Sequence, residues 1–241
     1  MSTTATTVDW QALDRMRVVF GHQSVGGNIL EGVSTLAKRD GRTYGVVEAR
    51  TPPSAPGITH FKIGTNGDPS SKIRDFAAAL DSGVVQGADV ALMKLCYIDF
   101  DSSVDPVAIA REYADALDGL AARHPTTKFV AVTAPLTTVQ TGPKAWVKRL
   151  LGRQPGGYAE NARRASFNKA LRERYASSGR LFDLARYEST AGGHDVAVIV
   201  DGATIEALDP SLSDDGGHLN AAGQQLIARQ FLEFLAATGR N

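Results

Sequence analysis

The stretch FGHQSVGGNIL, residues 20–30, decides how the chain is read. It joins an apolar run, Val18-Val19-Phe20, to a helical pattern that begins near Asn28, so a serine set among glycines lies at a strand-to-helix turn. In such a place Ser24 is either a nucleophile held up on the turn or a small polar residue that serves the bend or caps the helix.

Outward from this stretch the same alternation repeats. Apolar segments at residues 17–20, 44–48, 89–95, 128–133 and 181–184 are short and rich in Val, Ile or Leu, as strands buried on both faces must be. Between them lie helical stripes: Ile29, Leu30, Val33, Leu36 and Ala37; then Ile73, Phe76, Ala77 and Leu80; then Ile109, Tyr113, Ala116, Leu117 and Leu120. Alternating β and α predicts a mostly parallel five-stranded sheet wrapped by helices. A flavodoxin-like order 2-1-3-4-5 makes the first and third strands neighbours. Two stretches break the repeat. Residues 141–158 carry Gly, Pro, Trp146 and the basic residues Lys144, Lys148, Arg149 and Arg153, and residues 192–208 read as an added hairpin. Both are expected to be insertions over a rim of one domain spanning residues 1–241.

Composition excludes several functions. The 241 residues are 43% hydrophobic, enough for one α/β domain with a full core. Lys+Arg and Asp+Glu number 26 each, so no net field holds a nucleic acid or an acidic membrane surface. No apolar run approaches the roughly 20 residues of a membrane span. Residues 1–7 are polar and carry no leader pattern, from which a cytoplasmic protein, or an exported one already trimmed, is expected. The single cysteine, Cys96, excludes an internal disulfide; it reads as a buried small residue or, less simply, an activated thiol. No histidine pair has metal-ligand spacing, and the glycine turns match neither a phosphate loop nor a dinucleotide fingerprint, so neither metal nor cofactor is expected.

In open parallel sheets, ligands bind beyond the carboxyl ends of the strands. Ser24 follows the first strand, GTNGDPSSKI (residues 64–73) follows the second after a loop, and KLCYIDFD (residues 94–101) ends the third. Far downstream, LSDDGGHLNAAGQQLIARQFLEFL places Asp215 three residues before His218, on a glycine loop ahead of an apolar-striped helix. A serine hydroxyl becomes nucleophilic when an imidazole takes its proton, and a carboxylate fixes that imidazole's tautomer. Ser24, His218 and Asp215 could fill those roles. Each also has a plainer reading, as turn, cap and loop residue, and His22 and His60 read as structural hydrogen-bonding histidines. The basic cluster of residues 144–153 is a solvated face or a holder of an anionic substrate group.

In order and spacing these segments resemble the SGNH/GDSL hydrolase family, over about residues 17–235. VVFGHQSVGGNIL resembles that family's Gly-Asp-Ser strand and helix, GTNGDPSSKI its glycine-bearing second block, and DVALMKLCYIDF its third. RASFNKALRERYASSGRLFDL is similar to its Asn-containing helix and following strand, and LSDDGGHLNAAGQQLIA to its Asp-x-x-His segment. The resemblance implies a three-layer α/β/α sandwich and acyl transfer through an acyl-serine. It makes Ser24 the nucleophile, His218 the base and Asp215 its orienting acid, with the Ser24 and Gly67 N–H groups in the oxyanion hole. It implies a small acyl ester of a carbohydrate or other polar alcohol as substrate; an O-acyltransferase or a non-catalytic ligand-binding module of the same fold are the alternatives. Two positions depart from the family pattern: Gln23 stands where the family has Asp, and Ile98 stands where it has an oxyanion-donating Asn. A replacement donor is expected among Gln23, Tyr97 and Asn66, with Gln23 the first choice.

Overall fold

The computed structural model describes residues 8–239; residues 1–7, on which the expectation about a leader rests, lie outside them. Among the described residues the strands are β1 (Arg17–His22), β2 (Val46–Glu48), β3 (Gly57–Lys62), β4 (Val90–Met93), β5 (Lys128–Val132), β6 (Leu181–Phe182), β7 (Ala197–Val200) and β8 (Ala203–Glu206). The helices are α1 (Trp10–Leu13), α2 (Val25–Arg39), α3 (Pro69–Ala79), α4 (Pro106–Arg123), α5 (Gly142–Leu150), α6 (Tyr158–Tyr175), α7 (Leu184–Ser189) and α8 (Ala221–Thr238).

β1 to β6 form one sheet in the order β2-β3-β1-β4-β5-β6, with every neighbouring pair parallel. The five expected strands are all present, and β1 and β4 are neighbours as anticipated. The sheet has one strand more than expected. β3 lies between β1 and the segment at 44–48, so β2 is an edge strand and the glycine block at 64–73 follows β3 directly. GITHFK escapes a search for apolar runs because Thr59 and His60 interrupt it and Pro52, Pro53 and Pro56 precede it. The last expected strand is also shorter, because the Asp183 carboxylate accepts the Arg186 N–H and starts α7.

Alternation along the strands builds two cores. Val18 and Phe20 point into a layer with Ile29, Val33 and Leu36 of α2 and Ile227, Phe231 and Leu235 of α8. Val19, Phe61, Ala91 and Met93 point the other way, onto Ile73 and Phe76 of α3, Leu117 of α4 and Phe167 of α6. The result is a three-layer α/β/α sandwich. α2 and α8 approach so closely at Gly32 that a Cβ there would sit 2.2 Å from the Gln224 carbonyl oxygen. This contact places α8, and the loop before it, beside the start of α2. In the stretches that break the repeat lie α5 and the antiparallel β7–β8 pair, the latter turning at Asp201 and Gly202, both at positive φ as a two-residue hairpin turn requires.

Candidate active site

β1 ends at His22 and α2 begins at Val25, so the chain must turn within two residues. Ser24 makes that turn at φ 50° and ψ −117°, a conformation that a residue with a Cβ adopts at a cost of about 1–3 kcal/mol. Its side chain makes no cap bond to α2. Instead the hydroxyl is 2.7 Å from His218 Nε2. A turn residue needs neither the strain nor that partner.

The histidine loop is built around one carboxylate. Asp215 Oδ1 accepts the N–H groups of Gly217 and His218 at 2.9 and 2.8 Å, while Oδ2 lies 2.7 Å from His218 Nδ1. The His218 hydrogen bond, and then those two N–H groups, hold the Asp215 carboxyl well below the ordinary carboxylate range. An ionised Asp215 takes the Nδ1 proton's hydrogen bond, which leaves Nε2 to accept from Ser24. Leu219 N–H donates to Asn28 of α2, tying the loop to the helix that Ser24 begins. The three residues expected to act together are therefore in a continuous chain of hydrogen bonds, open to solvent at His218 and Asp215.

Tyr97 stands over this chain, its ring edge-on to the His218 imidazole at 5.6 Å and its hydroxyl 3.5 Å from both ring nitrogens. Gly217 has to be glycine beneath it, since a Cβ would come within 2.9 Å of the Tyr97 ring. Burial, then the Asp215 charge, raises the phenol above its usual range, so its O–H remains a donor.

The expected oxyanion donors need correction. Gln23 Nε2 donates to the carbonyls of Ile63 at 2.6 Å and Gly64 at 2.8 Å, so both of its N–H bonds are spent on pinning the loop after β3. Gly67 N–H is taken by Asp99 Oδ1 at 2.9 Å. Asn66 differs: its Oδ1 accepts from Lys72 Nζ at 2.8 Å, and its Nδ2 has no partner among the described residues. The Ser24 N–H is likewise without one.

Beneath Asn66 lies a feature that the motifs did not single out. Lys72 and Asp99 are fully buried and paired, with Nζ 2.8 Å from both carboxylate oxygens. Asp99 also accepts the Cys96 N–H at 2.6 Å. One buried pair thus joins the loop after β3, helix α3 and the segment after β4. The sequence signal was a lysine on the apolar stripe of α3, one turn before Phe76. Arg164 of α6, 3% exposed, does similar work. Its guanidinium donates to the Tyr97 carbonyl at 3.1 Å, to Thr137 Oγ1 at 2.9 Å and to Asn161 Oδ1. Arg164 lines a cavity of about 410 Å³ with Tyr97, Ile98, Thr137, Glu160 and Asp215, adjoining the hydrogen-bonded chain. His22 and His60 are structural, joined at 3.0 Å between Nε2 and Nδ1. Burial, then nearby positive charge, pushes His22 down to about 3. Cys96 is buried.

No family model matches the chain, and no curated relative does. Solved structures do. A carbohydrate esterase family 3 protein from Talaromyces cellulolyticus superposes with a TM-score of 0.53 at 16% identity, over 93% of this chain and 98% of that one. An acetyl xylan esterase gives 0.51 at 16% identity, over 90% and 98%. A lipolytic protein of the G-D-S-L family from Veillonella parvula gives 0.50 at 12% identity, over 90% and 96%. The chain has the SGNH/GDSL hydrolase fold. At such identities the likeness is one of backbone path, and the site must be judged on its own geometry. Within that SGNH fold, Ser24, Asp215 and His218 come together at the carboxyl rim of the sheet. Of the two departures from the family pattern, Gln23 holds the Ile63 and Gly64 carbonyls and Ile98 is exposed.

Proposed function

We propose that the protein is a serine ester hydrolase that cleaves a small acyl ester, acetyl foremost, of a carbohydrate or other polar alcohol. Ser24 Oγ attacks the ester carbonyl while its proton passes to His218 Nε2, and the alcohol leaves with that proton. Water then attacks the acyl-serine, gives its proton to His218, and releases the acid as Ser24 is restored. Asp215 orients the imidazole and stabilises its cation. The Ser24 N–H and Asn66 Nδ2 serve as oxyanion donors; Asn66 takes the place of the family's third-block Asn, its carbonyl end pinned by Lys72.

The hydrogen-bonded run from Asp215 through His218 to a strained Ser24 carries this assignment. The carbohydrate alcohol is supported by two of the structural neighbours, which are named as carbohydrate and acetyl xylan esterases. The adjoining cavity, lined by Tyr97, Ile98, Thr137 and Glu160, offers room for the alcohol beside the reacting carbonyl. Hydrolysis of a chromogenic acetate tests the proposal. Ser24→Ala should abolish turnover and Asp215→Asn should lower it by roughly a thousandfold or more with KM little changed. Full turnover in Asp215→Asn would remove the carboxylate from the mechanism.

A further inference from the structure

α5 is amphipathic in the wrong sense for a helix that covers a protein core. Ala145 is 4% exposed, whereas Trp146, Val147, Leu150 and Leu151 are 64%, 46%, 70% and 66% exposed. The Leu151 N–H still bonds to the Val147 carbonyl, so the last of these continues the helical turn. At about 100° per residue, these four side chains fill one continuous face, and Ala145 lies on the side opposite its centre. The helix therefore rests on the molecule through a small residue and presents its large apolar residues outward.

Charge sets what that face fits. Lys144 and Lys148 fall next to Leu151 on the helical wheel, at one edge of the apolar face. Arg149 and Arg153 add two further positive charges to the segment. No Asp or Glu occurs anywhere in residues 119–159. Whole-chain neutrality conceals this local field. The four apolar side chains of one short helix form too small a face for a stable protein interface, which takes about 800 Å² from each partner. Apolar residues that enter the acyl boundary, beside lysines whose ammonium groups reach the headgroups, are instead what an anionic lipid surface requires.

We infer that α5 docks the protein on an anionic lipid bilayer, with Trp146, Val147, Leu150 and Leu151 inserted and Lys144 and Lys148 against the headgroups. The insertion starts and ends beside the cavity. Thr138 N–H bonds to the Gly216 carbonyl, Gln140 N–H to that of Gly156, and Thr138 and Gly157 line the cavity wall. Docking through α5 thus holds that cavity close to the lipid surface.

The test is binding of the full chain to vesicles of equal parts phosphatidylcholine and phosphatidylglycerol, so its result is independent of whether the protein hydrolyses esters. Trp146 is a built-in reporter, because the other tryptophan, Trp10, is buried. The expected result is cosedimentation with these vesicles and a blue shift of emission that disappears in Trp146→Phe, with no binding to pure phosphatidylcholine. Lys144→Gln with Lys148→Gln should weaken binding on the order of 10-fold or more. Leu150→Asp with Leu151→Asp should abolish it, with an unchanged circular dichroism melt showing that this variant is folded. Absence of binding to the anionic vesicles would overturn the inference, as would undiminished binding by the aspartate variant. A dimer in sedimentation velocity that is lost in the same variant, without vesicle binding, would give the face to a second copy of the chain.

Discussion

Ser24→Gly should yield a more stable protein than Ser24→Ala, although both are inactive. Both variants lose the hydroxyl and its 2.7 Å hydrogen bond to His218, so that loss cancels in the comparison. Alanine keeps the Cβ at φ 50° and ψ −117°, and with it a strain of about 1–3 kcal/mol. Glycine removes the strain but loosens the unfolded chain, which offsets about 0.4–1 kcal/mol. The difference, about 1 kcal/mol in favour of glycine, corresponds to ~2–4 °C in Tm for a chain of this size. Urea unfolding with a common m-value, alongside thermal melts, measures it. An alanine variant as stable as the glycine variant would show that Ser24 bears no strain, and that half of the case for a nucleophile's turn would fall.

Three other perturbations follow from the buried polar groups. Lys72→Met leaves Asp99 buried without its cation and should destabilise the fold by about 3 kcal/mol, the lower end for a broken buried pair because the Gly67 and Cys96 N–H groups remain; urea unfolding reads this directly. Asn66→Ala should lower turnover on an activated ester about 100-fold with little change in KM, as for one lost oxyanion donor, and should cost about 1.5 kcal/mol of stability, because it removes the oxygen that accepts from the buried Lys72 ammonium; urea unfolding reads that loss separately. Burial pushes the Glu188 carboxyl up to about 8 from an ordinary 4.5, so the folded state keeps a proton that the unfolded chain has released between those values. Stability is then lost as pH rises from about 4.5 to about 8, on the order of 5 kcal/mol in all. Glu188→Gln should flatten that part of the profile, and parallel profiles for the two proteins would refute the assignment.

How far the sequence could be read depended on whether a residue's role is local. β1 and the turn at Ser24 were legible because an apolar run buried on both faces runs straight into glycines, and Asp215 and His218 because their spacing closes one loop. β3 was not, since a six-residue strand carrying Thr and His has no apolar run to find. Gln23 was misread for a different reason. Which of its atoms are free depends on where the Ile63 and Gly64 carbonyls lie, 40 and 41 residues away, and no local pattern fixes that. Lys72 and Arg164 lie between these cases. Each occupies the apolar stripe of its helix, Lys72 one turn before Phe76 and Arg164 three residues before Phe167, which marks it as buried. Only the assembled fold supplies the partners, Asp99 in one case and the Tyr97 carbonyl in the other.

The most direct measurement is labelling with a fluorophosphonate, which needs an activated serine and no knowledge of the substrate, followed by peptide mass spectrometry. A single phosphonyl adduct is predicted on Ser24, absent from Ser24→Ala and greatly slowed in His218→Ala, with both variants folded by circular dichroism. An unlabelled wild-type protein, or an adduct on another serine that persists in Ser24→Ala, would contradict a nucleophilic Ser24.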